Sequence, residues 1–188
     1  MQIIYFGKPY SFSHVAAMRR FGAGNKYLSK STIAEAIEST VSLKNSLSVV
    51  PIENTTGGII HDTVDILTLP QYLDSNLSIV EELDLNVKLF MLNKNLIKLK
   101  QIKKVYSHEC ALKKADPWIK KHLSAAVKII NAQSTSEAIQ RIKNEKYSCA
   151  IASAEAADHY GLKKLSEIVP LNNEEKKNIT RFLVLKNN

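Results

Sequence analysis

The sequence predicts an α/β protein, and three observations carry that prediction. Short apolar runs suited to buried strands alternate with stretches of helical periodicity from one end of the chain to the other. Polar clusters fall where strands give way to loops, which is where open α/β sheets bind ligands. The composition is that of an ordinary soluble globular protein, 45% apolar and 23% charged. A chain of 188 residues suits one large domain or two small lobes sharing a cleft.

The elements follow in order. Residues 3–6 form a first strand that ends at Gly7. Residues 13–21 are helical, with Val15, Ala16 and Met18 placed to pack, and residues 32–39 put Ile33, Ala36 and Ile37 on one helix face. Residues 47–50 are a buried strand stopped by Pro51, after which a loop carries Glu53 to Gly58 and a helix resumes by Thr63 with Val64 and Leu67. From 79 to 89 the alternation is clean: Ile79, Leu83, Leu85, Val87 and Leu89 point one way, Glu82, Asp84, Asn86 and Lys88 the other. This long strand could carry the chain from one lobe to the next. Residues 105–107 are a strand and 111–122 a helix, although Pro117 must sit at a helix start or break it. After a strand at 127–130, Ser134 and Glu137 form a capping box that opens a helix through Ile139 and Ile142. Residues 149–152 are a strand, Ser153 begins a helix that Gly161 closes, and 182–185 are the last strand. No repeat, low-complexity segment or Pro-, Gly- or Ser-rich linker interrupts this order.

Charge and composition exclude several classes of function. The net charge of +8 comes almost wholly from lysine, and the arginines are Arg19, Arg20, Arg141 and Arg181. Base readout and phosphate forks favour arginine, and aromatic residues do not interleave with the lysines between Lys94 and Lys121 in the pattern that base stacking needs. A solvated lysine-rich surface with mild attraction for dianionic small molecules is the better reading, and no nucleic-acid partner is expected. No segment approaches the ~20 apolar residues of a membrane span, and the N-terminus reads as a strand, not a signal peptide. Cys110 and Cys149 are expected as two buried free thiols, which points to a reducing cytoplasm. The five histidines lack metal-ligand spacing, and the phosphate- and dinucleotide-binding glycine motifs are missing. Ser107 and His108 are adjacent strand residues that face opposite sides, so they make no nucleophile dyad.

Four polar clusters remain: Ser11-Phe12-Ser13-His14, Glu53-Asn54-Thr55-Thr56-Gly57-Gly58, Ser107-His108, and Asn178-Ile179-Thr180-Arg181-Phe182. Gly57 and Gly58 are expected to leave backbone amides open, which suits an anion. Taken alone, these residues indicate a small-molecule α/β protein with an anionic ligand.

Taken together, their order and spacing resemble the catalytic domain of the prephenate dehydratases. Val50 to Gly58 resembles the family's P-I-E-N segment, followed by a helix with Asp65-Ile66-Leu67. Gly7 to Ser13 resembles its N-terminal G-P-x-G-[TS]-[FY]-[ST] loop, and Ser107-His108 with Ala111-Leu112 its S-H-P-Q-A-L segment. Ser134-Thr135, Ala150-Ile151-Ala152 and Tyr160-Gly161-Leu162 match later segments, and Asn178 to Phe182 resembles the N-x-T-R-F signature.

The resemblance implies two α/β lobes like those of a type II periplasmic solute-binding protein, with an active site in the cleft between them. Lobe 1 would take residues 1–76 and 166–188, lobe 2 residues 77–165. It implies a carbon–oxygen lyase that converts prephenate to phenylpyruvate in phenylalanine biosynthesis, without metal or organic cofactor. Thr180 would hydrogen-bond the leaving hydroxyl, and Asn54 and Ser11 would orient the substrate. Ser107 would bind a polar oxygen and Phe182 supply apolar wall. Thr55 would join the substrate contacts, as would Glu53 and Arg181 unless those two fix their loops by pairing. A cytoplasmic homo-oligomer, a dimer, is expected.

Departures from the pattern are equally specific. The loop reads Gly7-Lys8-Pro9-Tyr10-Ser11, so Tyr10 stands where the family has its second glycine, which matters if φ there is positive. Glu109-Cys110 replaces the usual Pro-Gln, and Lys114 stands where many members carry a substrate-contacting glutamine. No segment resembles the regulatory ACT domain or a chorismate mutase domain, so regulation by phenylalanine is not expected. The alternatives are an arogenate dehydratase, a non-aromatising prephenate decarboxylase, and a non-catalytic cleft-binding protein. Retention of the P-I-E-N and T-R-F segments disfavours the decarboxylase.

Overall fold

The apolar run after Met1 forms the first strand, β1 (Gln2–Phe6), of a computed structural model that describes residues 1–169 and 178–188. There follow α1 (Phe12–Phe21), β2 (Lys26–Lys30), α2 (Ile33–Ser42), β3 (Ser46–Asn54), β4 (Gly58–Ile59), α3 (His61–Leu67), α4 (Pro70–Leu73) and β5 (Leu77–Asn86). Next come β6 (Leu89–Asn93), a 3₁₀ turn (Leu99–Gln101), β7 (Lys104–Ser107), α5 (Glu109–His122), β8 (Lys128–Asn131), α6 (Thr135–Ile142), β9 (Ser148–Ala152), α7 (Ala154–Tyr160) and β10 (Lys163–Ile168). The chain closes with β11 (Ile179–Asn187).

These elements form two α/β units. The first holds residues 1–87 and the C-terminal strand; the second begins at Lys88. In the first, the sheet runs β2-β1-β3-β11-β5, with β4 paired to β3. Its three first strands are parallel, and β11 is antiparallel to both β3 and β5. Ile4, Val50, Leu183 and Leu185 of that sheet pack with Ile33, Ala36 and Ile37 of α2 and with Tyr72. Each such fully buried aliphatic side chain contributes about 1.5–3 kcal/mol. In the second unit the order is β10-β6-β9-β7-β8. There α6 packs on β9 and β7, burying Ile139 and Ile142.

Helix starts follow local chemistry. Ser11, Thr32, Ser134 and Ser153 each cap a helix by accepting the amide three residues on. Gly161 closes α7 at φ 64°, the left-handed conformation expected of a terminal glycine. At α6 the capping box is displaced by one residue, since Glu137 accepts from the amide of Gln133 and not of Ser134.

Several expectations need correction. Strand β3 runs through Pro51, because a bulge there skips Ile52 in the pairing with β11, and bulges are where strands accept proline. Helix α5 likewise runs through Pro117, which is exposed and forgoes one helical bond. The strand read from 79 to 89 is two strands. β5 ends at Asn86 beside β11, and β6 starts at Leu89 in the other sheet. The second unit therefore begins near Lys88 and not at 77, and residues 166–168 belong to it through β10. A bulge at Val80 shifts the alternation, which leaves Ile79 57% exposed. Strands β2 and β10 were not foreseen. Of the two free cysteines only Cys149 is buried, and Cys110, in the first turn of α5, is exposed.

Candidate active site

Strands β3 and β11 pair Asn54 with Thr180 and Glu53 with Arg181, and one carboxamide organises that end of the sheet. Asn54 Oδ1 accepts from the Thr56 amide at 3.1 Å, the Gly57 amide at 3.0 Å and the Thr56 hydroxyl at 2.7 Å. Of these amides, that of Gly57 was expected to stay open for an anion. The Asn54 carbonyl takes it instead, so the loop orients Asn54 rather than cradling a ligand. With its oxygen fixed, the carboxamide aims its NH₂ at β11. Nδ2 donates to Thr180 Oγ1 at 2.8 Å, Asn178 Oδ1 at 2.9 Å and the Ile179 carbonyl at 3.2 Å. An amide nitrogen only donates, so Thr180 Oγ1 is the acceptor and its own proton is directed elsewhere. Both residues are buried, Asn54 at 8% and Thr180 at 7% exposure.

Thr55 fastens the same end of the ladder. Its amide donates to the Ile179 carbonyl at 2.9 Å, and its Oγ1 accepts from the Ile179 amide at 3.0 Å. Asn178 completes the network, a role sequence reasoning missed although the residue lies in a quoted motif. Its carbonyl accepts from Val87 N–H at 2.7 Å and its Nδ2 donates to the Val87 carbonyl at 3.3 Å. The available signal was its place two residues before Thr180, on the same side of an extended chain.

Arg181 faces the opposite side of the sheet and is exposed. It lies 3.3 Å from Asp84, 3.7 Å from Glu53 and 3.8 Å from Glu82. The hydrogen bond and charge of Asp84, then the charges of Glu82 and Glu53, raise the guanidinium's pKa. Three carboxylates around one cation leave local charge negative, which repels a dianionic substrate. Arg181 and Glu53 thus form a surface staple between strands, not an anion site. Phe182 is 1% exposed and lies in the core, so it presents no wall to a ligand.

Ser11 caps α1 by accepting from His14 N–H at 3.4 Å, and its own hydroxyl donates to the Phe6 carbonyl at 3.1 Å. What it can offer a ligand is a lone pair. Gly7, at φ 95°, is crowded: a Cβ there would lie 2.9 Å from Ser11 Oγ. Tyr10, the replacement for the family's second glycine, does hold a positive φ, +64°.

Ser107 and Lys114 belong to the second unit. Ser107 is 1% exposed and donates its hydroxyl proton to the Ile151 carbonyl at 2.7 Å, tying β7 to β9. Burial and that bond fit a structural hydroxyl rather than a catalytic one. Its neighbour His108 caps α5. On α5, Lys113 pairs with Glu109 at 2.7 Å and Lys120 with Asp116 at 2.6 Å. Lys114 differs. Its side chain is exposed over much of its length, yet desolvation draws its pKa below the ordinary lysine value, with Cys110 opposing weakly. Elsewhere in this unit burial pushes the Cys149 thiol up to about 12, leaving it an inert core group.

Among the described residues no cluster of histidine, cysteine, aspartate or glutamate could hold a metal ion, and no helix is long and apolar enough to cross a membrane. The family model for prephenate dehydratase matches residues 3–188. The bifunctional chorismate mutase/prephenate dehydratase of Aquifex aeolicus (strain VF5) is 30% identical over 98% of this chain and 48% of its own length. The prephenate dehydratase of Amycolatopsis methanolica is 28% identical over 98% of this chain and 58% of its own. The crystal structure of the prephenate dehydratase from Staphylococcus aureus subsp. aureus Mu50 superposes with a TM-score of 0.83 at 27% identity, covering 100% of this chain and 67% of that one. The chain spans about half the length of the curated relatives it matches.

Proposed function

Because the chain belongs to the prephenate dehydratase family, we propose that it converts prephenate to phenylpyruvate, carbon dioxide and water. The observation that carries this reading is the Asn54–Thr180 contact, in which Thr180 accepts and so keeps its proton for a ligand. In the reaction the bond from ring carbon to carboxylate breaks and its electron pair enters the ring. The carbon–oxygen bond at the far ring position then breaks, and its pair leaves with the hydroxyl oxygen. Negative charge grows on that oxygen, so a donor already aimed at it lowers the barrier. Thr180 is too weak an acid to give its proton away outright. It donates a hydrogen bond while the departing hydroxide takes a proton from solvent. Aromatisation of the ring supplies the driving force.

Asn54 acts by holding Thr180, Thr56 and Asn178 act by holding Asn54, and Thr55 fastens the adjoining Ile179. Ser11 offers its lone pair to a substrate O–H, and Lys114 a positive charge to a carboxylate. We assign Glu53, Arg181, Phe182 and Ser107 to the scaffold. Free cysteines fit a cytoplasmic location.

The test is an ultraviolet assay with purified protein and prephenate. Appearance of phenylpyruvate supports the reading. A non-aromatic keto acid would make the protein a decarboxylase, and thermal stabilisation without product would make it a binding protein. Arogenate as the faster substrate would move the assignment to an arogenate dehydratase.

A further inference from the structure

Tyr10 stands in a backbone conformation that glycine enters freely and tyrosine does not, with φ at +64°. A non-glycine residue persists there only where its surroundings hold it. Here the holding group is His14. Its Nδ1 accepts the Tyr10 backbone N–H at 2.9 Å, and the two rings meet edge to face with centroids 5.2 Å apart. The imidazole is itself clamped. It is 7% exposed, stacks on Tyr5 at 4.5 Å and meets the Tyr27 ring edge to face at 5.3 Å. To accept from an amide, Nδ1 must carry its lone pair and no proton.

The held residue sits directly before Ser11, in a corner already short of space. Ser11 N–H donates to the Lys8 carbonyl at 3.0 Å, and Gly7 N–H to the Lys30 carbonyl at 2.8 Å. Tyr10 is the residue directly before Ser11, so its φ bears on where Ser11 enters the cap of α1. We infer that His14 is a positioning residue for substrate: its Nδ1 holds Tyr10 in the left-handed conformation and thereby sets Ser11. The inference rests on the assignment of Ser11 to substrate binding made above.

Three variants test it. His14→Phe keeps a ring for the stack but removes the acceptor. It should speed hydrogen exchange at the Tyr10 amide roughly 10-fold, as expected for a lost local closure. It should also raise KM for prephenate by about 5- to 10-fold with kcat within about 3-fold, the signature of lost ground-state positioning. His14→Asn puts a carbonyl oxygen near the place of Nδ1. It should keep the amide protected and KM near the wild-type value while lowering Tm. Adding Tyr10→Gly to His14→Phe should return KM to that of Tyr10→Gly alone, because glycine takes a positive φ unaided. Unchanged Tyr10 exchange in His14→Phe overturns the inference. So does an increase in KM that neither asparagine nor glycine rescues, which would make His14 a packing residue only. If the wild-type protein makes no phenylpyruvate, the dehydratase assignment fails by itself, and exchange at Tyr10 still decides whether His14 holds that backbone.

Discussion

The start of β11 in the first unit and the end of β7 in the second each bury a small hydroxyl beside a polar loop. Their hydrogen bonds run in opposite senses. Thr180 accepts from Asn54 at 2.8 Å, which leaves its proton for a ligand. Ser107 donates to the Ile151 carbonyl at 2.7 Å, so its proton is already committed to the sheet. Burial, size and motif membership do not separate the two residues. Direction does, and direction is set by the neighbour: a carboxamide NH₂ makes a hydroxyl an acceptor, a carbonyl makes it a donor.

The strongest way to break this comparison is to remove the Thr180 hydroxyl. Thr180→Val keeps the shape and should cut kcat by roughly 10²–10³ with little change in KM, the usual cost of one transition-state hydrogen bond. Thr180→Ser should retain part of the activity. Steady-state kinetics on prephenate decide it, and a near-normal kcat in the valine variant would end the assignment.

Asn54 tests the cause rather than the effect. Asn54→Ala strips the acceptor from the Thr56 and Gly57 amides and the donor from Thr180. Stability should fall by about 2–3 kcal/mol, because buried partners are left unsatisfied, which is a Tm drop of roughly 4–12 °C for a chain of this size. In Asn54→Ala the Thr180 proton loses its fixed direction, so kcat should also fall, though less than in Thr180→Val. Thermal denaturation and kinetics on the same sample separate the two effects.

The hydrogen-bonded network where β3 meets β11 was partly legible in the sequence. Asn54, Thr55, Asn178 and Thr180 all lie in the named segments, and the conditional warning about Tyr10 meets a positive φ in the structure. Misreadings came where sequence cannot show direction. Phe182 follows Thr180 by two residues, so it shares Thr180's side of the strand, but being 1% exposed it meets core and not ligand. Arg181 faces away toward Asp84, Glu82 and Glu53, partners brought by β5 and β3 and distant in sequence. Gly57 looked free because nothing local reveals that the side chain of Asn54 turns back onto its amide. Elements were legible for the related reason that periodicity is local, whereas the bulges at Ile52 and Val80 depend on the partner strand.

Lys114 is the second unit's sharper claim on the chemistry. Its neighbours Lys113 and Lys120 are tied into surface pairs, and desolvation draws the pKa of Lys114 below the ordinary lysine value. If its ammonium holds a substrate carboxylate, Lys114→Ala should raise KM by about 10-fold with a smaller change in kcat, since an anchor present in ground and transition states is uniform binding. The effect should shrink as ionic strength rises, and Lys113→Ala should change little. Equal kinetics for the two alanine variants would remove Lys114 from the site.

Ser107→Ala is the smallest expected effect and the one that sharpens the comparison most. A serine in a quoted motif, beside a histidine at the end of a strand, invites a catalytic reading. Its geometry argues otherwise, because the hydroxyl proton lies on the Ile151 carbonyl and the residue is 1% exposed. Removing the hydroxyl deletes one bond inside the sheet and leaves the Ile151 carbonyl short of one donor, which should lower stability by about 1 kcal/mol. The reacting hydroxyl of the substrate would not sense the loss, so kcat should stay within about 3-fold, well under the loss of a transition-state donor. Ser107→Cys should behave the same way in kinetics, since a thiol is a poor donor to the carbonyl and the site asks nothing more of it. A fall in kcat approaching that of Thr180→Val, without a matching loss of stability, would show that Ser107 turns its proton toward the substrate during turnover. The direction of a hydrogen bond in the ligand-free protein would then not be what distinguishes the two hydroxyls.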